Sequence, residues 1–135
     1  MGDDDQDIRA LQIIGAALIT GPAIFLGIAI FLRSDPEGAF GARSENPVIT
    51  WTALIVGLAV IATSLLLPRR KERDIGTVRG HFVTRLAMVE GGALFGTVAY
   101  LLEGEVSSMG VALLCMAVMT AIHFPTAERV HRLRT

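Results

Sequence analysis

The chain contains little of what catalytic and metal-binding sites are usually built from. Its 135 residues include three histidines and one cysteine, Cys115, which lies in an apolar run. A lone cysteine excludes an internal disulfide, and neither Cys115 nor the histidines have the spacing of metal ligands. A serine–histidine–aspartate set and a phosphate-binding loop are also missing. We therefore predict no catalytic residue, no metal site and no cofactor, expect that the chain is not an enzyme, and interpret Cys115 as a small buried apolar residue.

Charge is missing from long parts of the sequence as well. Apolar residues make up 52% of the chain and charged residues 19%. A soluble domain of this size could not bury so much apolar surface. A helix needs about 20 residues to cross the roughly 30 Å hydrocarbon core of a bilayer. Four segments have that length, at 11–32, 48–67, 82–102 and 106–124. The sequence thus predicts one all-α transmembrane domain over residues 1–135, a four-helix bundle followed by a cytoplasmic tail at 125–135.

Arginine and lysine are distributed unevenly between the two predicted sides of the membrane. The N-terminal tail, the connection that includes 69–79 and the C-terminal tail together hold nine of them. The first connection holds Arg33 and Arg43, and the third holds none. Because basic residues concentrate on the cytoplasmic side, this distribution predicts both termini in the cytoplasm and a multi-pass protein of the inner (plasma) membrane. The lipid bilayer is then the first partner, and nothing besides charge points to nucleic acid.

Glu90 is the residue that most suggests a function, because it lies in the middle of a predicted membrane helix. At 1.5 Å per residue it is about 12 Å from the start of the third segment. An ionisable group at that depth costs several kcal/mol and marks a functional site by default. We expect Glu90 to be buried in the bundle and protonated. Three roles remain open: a structural carboxyl, proton or ion handling, and ligand binding.

The partners of Glu90 can be predicted from depth and angle. Arg85 is about 140° around the same helix, so it should not meet Glu90 and is expected to extend to the cytoplasmic interface. In the first segment, Thr20 lies at about the same depth as Glu90. Pro22 follows it and frees the carbonyl of Leu18, which a protonated carboxyl could bond. The sequence therefore predicts an intramembrane polar site formed by Glu90 and Thr20.

The third segment also carries a face of small residues on the side away from Glu90. Gly92 and Gly96 form a small-xxx-small pair, which Ala99 continues, and such pairs permit close helix packing. We predict that this helix packs centrally, with neighbours on both sides, although the small face could instead meet another chain. The short turn at 103–105 makes the third and fourth helices antiparallel neighbours.

Two resemblances follow from these motifs. The run Ala87-Met88-Val89-Glu90-Gly91-Gly92-Ala93-Leu94-Phe95-Gly96 resembles the carboxylate-bearing helix of the rotary ATP synthase proteolipid. That resemblance implies a proton-carrying role for Glu90. This chain departs from the proteolipid in having four helices and a single glycine, Gly57, in the preceding helix.

The layout as a whole is more similar to a group of small, uncharacterised four-helix bacterial membrane proteins. The shared motifs are the stretch 85–96 and the ending Phe124-Pro125-Thr126-Ala127-Glu128-Arg129-Val130. That resemblance implies the architecture but no activity. From the residues, the leading hypothesis is a structural or accessory subunit of a membrane complex, with other membrane subunits or further copies of the chain as partners. The alternative is a small oligomeric proton-coupled transporter that uses Glu90.

Overall fold

The computed structural model describes residues 3–35, 37–38, 40, 45–67, 75–126 and 128. Within these ranges the chain is helical and has no strand. The elements are α1 (Asp3–Arg33), α2 (Val48–Leu66), α3 (Ile75–Glu103) and α4 (Val106–Val118), and α4 continues into a π-helical turn, Met119–His123. All four helices are long and apolar enough to cross a membrane. The predicted all-α four-helix bundle is confirmed, and its length and composition are those of a multi-pass membrane protein.

The helices extend beyond the apolar segments from which they were predicted. α1 begins at Asp3 rather than at residue 11, and α3 begins at Ile75 rather than at residue 82. An apolar run marks only the part of a helix that crosses the hydrocarbon, whereas the backbone continues its hydrogen bonding into the polar flank. Most of the predicted tail at 125–135 lies outside the described residues.

α3 is the central helix of the bundle, as the sequence predicted. It packs against α1, α2 and α4, and α4 also contacts α2 and α1. The core between α3 and α4 is formed by apolar residues that are buried almost completely. They are Leu86, Val89 and Ala93 of α3, and Val111, Cys115, Val118 and Met119 of α4 with its π-turn. Cys115 is therefore a buried apolar contact, as expected.

The turn between α3 and α4 ties the end of α1 to the end of α3. Gly104 has a φ of 74°, which favours glycine, and its N–H donates to the Tyr100 carbonyl at 2.8 Å. The Arg33 guanidinium packs directly over Gly104, where a Cβ would collide with it. Arg33 Nη1 donates to the Leu101 carbonyl at 2.8 Å, and its guanidinium carbon is 5.7 Å from the centre of the Tyr100 ring. One arginine thus binds a carbonyl near the C-terminus of a neighbouring helix and an aromatic face.

α2 carries no charge of its own, and charged side chains of α3 bind both of its ends. At the start of α2, the Glu103 carboxylate accepts the Ile49 N–H at 2.8 Å and the Thr50 N–H at 2.6 Å. At the other end, Arg85 donates from Nη2 to the Leu67 carbonyl. An anion at the N-terminus and a cation at the C-terminus both complement the helix dipole. These bonds set the position of α2 along α3.

The intramembrane site around Glu90

Glu90 lies close to the middle of the membrane-spanning part of α3. That part runs from Arg79 to Glu103. At 1.5 Å per residue, Glu90 is about 17 Å from one end and about 20 Å from the other. The carboxyl is therefore at least as deep as the sequence indicated.

The residue of α1 found beside the Glu90 carboxyl is Gly21. A Cβ placed on Gly21 would lie 3.8 Å from Glu90 Oε1. Thr20 is exposed, and its hydroxyl donates to the Ala16 carbonyl of its own helix at 2.8 Å. The residue of α1 at the depth of Glu90 was thus predicted to within one position, but the predicted contact between Glu90 and Thr20 is wrong. In an apolar setting a threonine hydroxyl readily bonds the carbonyl four residues back, and this bond needs no partner helix.

Glu90 is partly exposed on the lateral surface of the bundle instead of being enclosed by it. Its neighbours Ala87 and Gly91 on α3, and Gly21 on α1, are exposed too. In the part of the chain that the structure describes, the Glu90 carboxyl forms no hydrogen bond and no ion pair. The expected bond to the Leu18 carbonyl is therefore not formed. A polar group at mid-depth is left facing the space that lipid or another helix would occupy.

Arg85 does not pair with Glu90, as its angular position predicted, but it does not extend to solvent either. Only 5% of its surface is exposed. The side chain crosses to the end of α2, where it binds the Leu67 carbonyl. Leu67 directly follows the membrane-spanning part of α2, so this bond places Arg85 at the level of a membrane interface, although the side chain is little exposed.

The small residues of α3 face α4 and α2, on the side away from Glu90. A Cβ on Gly96 would lie 3.0 Å from the Ala112 nitrogen and 3.0 Å from the Ser108 oxygen, both backbone atoms of α4. A Cβ on Gly92 would lie 3.2 Å from Cys115 Sγ. The Gly92–Gly96 face is therefore occupied within the chain.

Sequence reasoning missed a second polar contact, between α4 and α2. His123 is 2% exposed, and its Nε2 is 3.1 Å from Ser64 Oγ. Ser64 donates its own proton to the Ile61 carbonyl at 2.8 Å, so His123 Nε2 is the donor to Ser64. His123 closes the π-helical turn at Met119–His123, which changes the angle at which the side chain leaves the helix. A single sequence carries no clear signal for a π-turn.

The arrangement offers one unsatisfied carboxyl and, among the described residues, no group of three histidine, cysteine or carboxylate side chains that could hold a metal. A lone carboxyl can accept or release a proton or pair with a donor from another molecule. No family model matches the chain, and comparisons with curated proteins and with solved structures find no match either. The two resemblances drawn from the motifs therefore stay predictions.

Proposed function

We propose that this chain is a structural or accessory subunit of a larger membrane complex, placed in the inner (plasma) membrane with both termini in the cytoplasm. The observation that carries the proposal is the Glu90 carboxyl, which is partly exposed at mid-depth and unbonded within the described chain. A charged carboxyl at the bilayer centre costs about 2.5 kcal/mol or more. A helix of another subunit that brings a hydrogen-bond donor or a basic side chain to this depth would remove that cost.

The surroundings of Glu90 support close contact with another helix. Gly21, Ala87 and Gly91 are exposed and carry little or no side chain. A Cβ placed on Gly91 would meet nothing within 4 Å. Small residues next to a polar one are typical of interfaces between membrane helices, where backbones approach closely and a side-chain hydrogen bond adds specificity. We define Glu90 together with the exposed residues Gly21, Ala87 and Gly91 as the Glu90 face.

Photo-crosslinking in intact membranes tests this proposal. A photoreactive residue at position 91 lies on the Glu90 face, whereas one at position 117 lies on the exposed side of α4. The two positions are matched in depth, because α3 and α4 run antiparallel and Gly96 meets Ala112. We expect position 91 to give one discrete adduct with a different polypeptide, and Glu90→Leu to reduce it. Equal crosslinking from both positions, or an adduct that is insensitive to Glu90→Leu, would overturn the proposal.

A second function uses the same face, a small oligomeric transporter coupled to protons through Glu90. The lateral position of Glu90 favours an oligomer over a single copy, because a second copy seated on the Glu90 face would enclose the carboxyl between two bundles. An adduct at position 91 with a second copy of the chain would favour this alternative. Reconstituted liposomes with an internal pH dye would then show proton flux that Glu90→Gln abolishes, since an amide cannot release a proton. Proton flux that persists in the Glu90→Gln variant would exclude it.

A further inference from the structure

A partly open cleft of 290 Å³ lies at the end of α2, away from the Glu90 face. Its walls come from the last residue before the α2–α3 connection and from the first turns of α3. The lining residues are Leu67, Thr77, Gly80, His81, Thr84 and Arg85. This volume is at the lower end for small-molecule clefts, so it would take a headgroup rather than a whole lipid.

The cleft presents hydrogen-bond donors from one face of α3. Thr77, His81 and Thr84 follow one another at spacings of four and three residues, so their side chains share that face. Arg85 completes the wall, and its guanidinium is almost fully buried. Hydroxyl, imidazole and guanidinium groups can all donate to phosphate oxygens, and a guanidinium matches phosphate geometry well. No carboxylate is among the described residues that line the cleft, so its chemistry favours an anion.

The level of the cleft in the bundle identifies the source of that anion. The membrane-spanning part of α2 ends at Leu66 and that of α3 begins at Arg79, so the cleft lies where lipid headgroups would lie. Leu66, next to the cleft residue Leu67, is 82% exposed and available to an acyl chain. In the sequence, the segment 69–73 that follows contains four basic residues, which attract anionic lipid. We propose that this cleft binds the phosphate headgroup of an anionic phospholipid, and the proposal does not depend on the Glu90 face.

Gly80 allows the cleft to be filled without removing any polar group. A Cβ on Gly80 meets nothing within 4 Å, so a side chain can begin there without moving the backbone, and leucine is the probe. Gly110 is the matched control, since it is an exposed helical glycine of α4, away from the cleft, whose Cβ would also meet nothing within 4 Å. Both substitutions replace glycine by leucine in a helix and so change helix propensity equally. Thr84→Val is a second probe, which keeps the side-chain shape and removes one donor.

Native mass spectrometry of the full chain with phosphatidylglycerol, diacylglycerol or inorganic phosphate tests the assignment. We expect wild type and Gly110→Leu to bind phosphatidylglycerol about tenfold more tightly than diacylglycerol, which lacks the phosphate, a difference typical of one charge-assisted hydrogen bond. Gly80→Leu should remove that preference, and Thr84→Val should weaken it severalfold. An unchanged preference in folded Gly80→Leu and Thr84→Val would overturn the proposal. Inorganic phosphate that competes as strongly as the lipid would overturn the lipid assignment and leave a soluble phosphate compound as the ligand.

Discussion

Adding one methyl group at Gly96 or at Gly91 should affect stability differently, although the two glycines lie only five residues apart on the same helix. At Gly91 the added Cβ meets nothing within 4 Å. At Gly96 it would lie 3.0 Å from two backbone atoms, the Ala112 nitrogen and the Ser108 oxygen. Backbone atoms cannot rotate out of the way as a side chain can. α3 and α4 would therefore have to separate by a few tenths of an ångström along their contact.

The free energies follow from two terms. Replacing glycine by alanine inside a helix gains about 1 kcal/mol, and this gain applies to both positions. Overpacking at a close contact costs about 1–3 kcal/mol, and this cost applies to Gly96 alone. Gly91→Ala should then stabilise the bundle by up to about 1 kcal/mol, while Gly96→Ala should be neutral or destabilise it by up to about 2 kcal/mol. The difference between the variants, about 1–3 kcal/mol, depends only on the packing term.

Unfolding in mixed detergent micelles with increasing dodecyl sulfate, followed by far-ultraviolet circular dichroism, measures this difference. Gly96→Leu, which adds a larger side chain at the same contact, should unfold at a lower dodecyl sulfate fraction than Gly96→Ala. If Gly96→Ala is as stable as Gly91→Ala to within about 0.5 kcal/mol, the close α3–α4 contact does not exist in the folded protein.

Three further predictions use other parts of the bundle. Glu103→Ala should speed hydrogen exchange of the first amides of α2, because the carboxylate bonds two of them; unchanged exchange would mean that another group caps this end. Reporter fusions after Thr135 and within 69–79 should report cytoplasm, and a fusion within 33–47 should report the outside; a reversal would refute the proposed orientation. Glu90→Ala should leave the unfolding free energy of the isolated chain within about 0.5 kcal/mol of wild type, whereas a loss above about 1 kcal/mol would mean that the carboxyl has a partner within the chain.

The fold could be predicted because the bilayer restricts how a chain can satisfy its backbone. Apolar runs of membrane-spanning length must be helices, and a three-residue turn forces α3 and α4 to be neighbours. The small pair at Gly92 and Gly96 correctly marked the face of α3 with the closest contacts. These features depend on properties that one helix or one turn shows by itself.

The details of the site depend on how helices rotate against each other, which one sequence does not specify. Depth follows from the rise per residue, so the residue of α1 that lies at the same depth as Glu90 was predicted to within one position. Whether Gly21 or Thr20 faces α3 depends instead on how the buried residues of α1, among them Leu11, Pro22 and Leu26, turn the helix. The burial of His123 was missed for a similar reason, since it depends on a local π-helical turn.

The charges of α3 that bind α2 also explain why Glu90 stands out. Arg85 and Glu103 are 18 residues apart, which is about 27 Å along a helix. Their targets, Leu67 and Ile49, are also 18 residues apart in an antiparallel helix, so both bonds form in one register. Two charged residues of α3 therefore satisfy the backbone ends of α2, which lie near the two ends of the membrane span.

The two carboxylates in the membrane-spanning part of α3 thus differ in one decisive respect. Glu103 is bonded within the chain by two backbone amides at the end of the span, where water is near. Glu90 lies deeper, where an unsatisfied carboxyl costs more, and within the described chain it has no bond. Glu103 shows that backbone amides of the bundle can bind a carboxylate whose role is to hold two helices together. An unsatisfied one on the lateral surface, beside exposed small residues, is better explained by a group that another molecule brings to it, and this contrast within one helix supports the proposal of a partner at the Glu90 face.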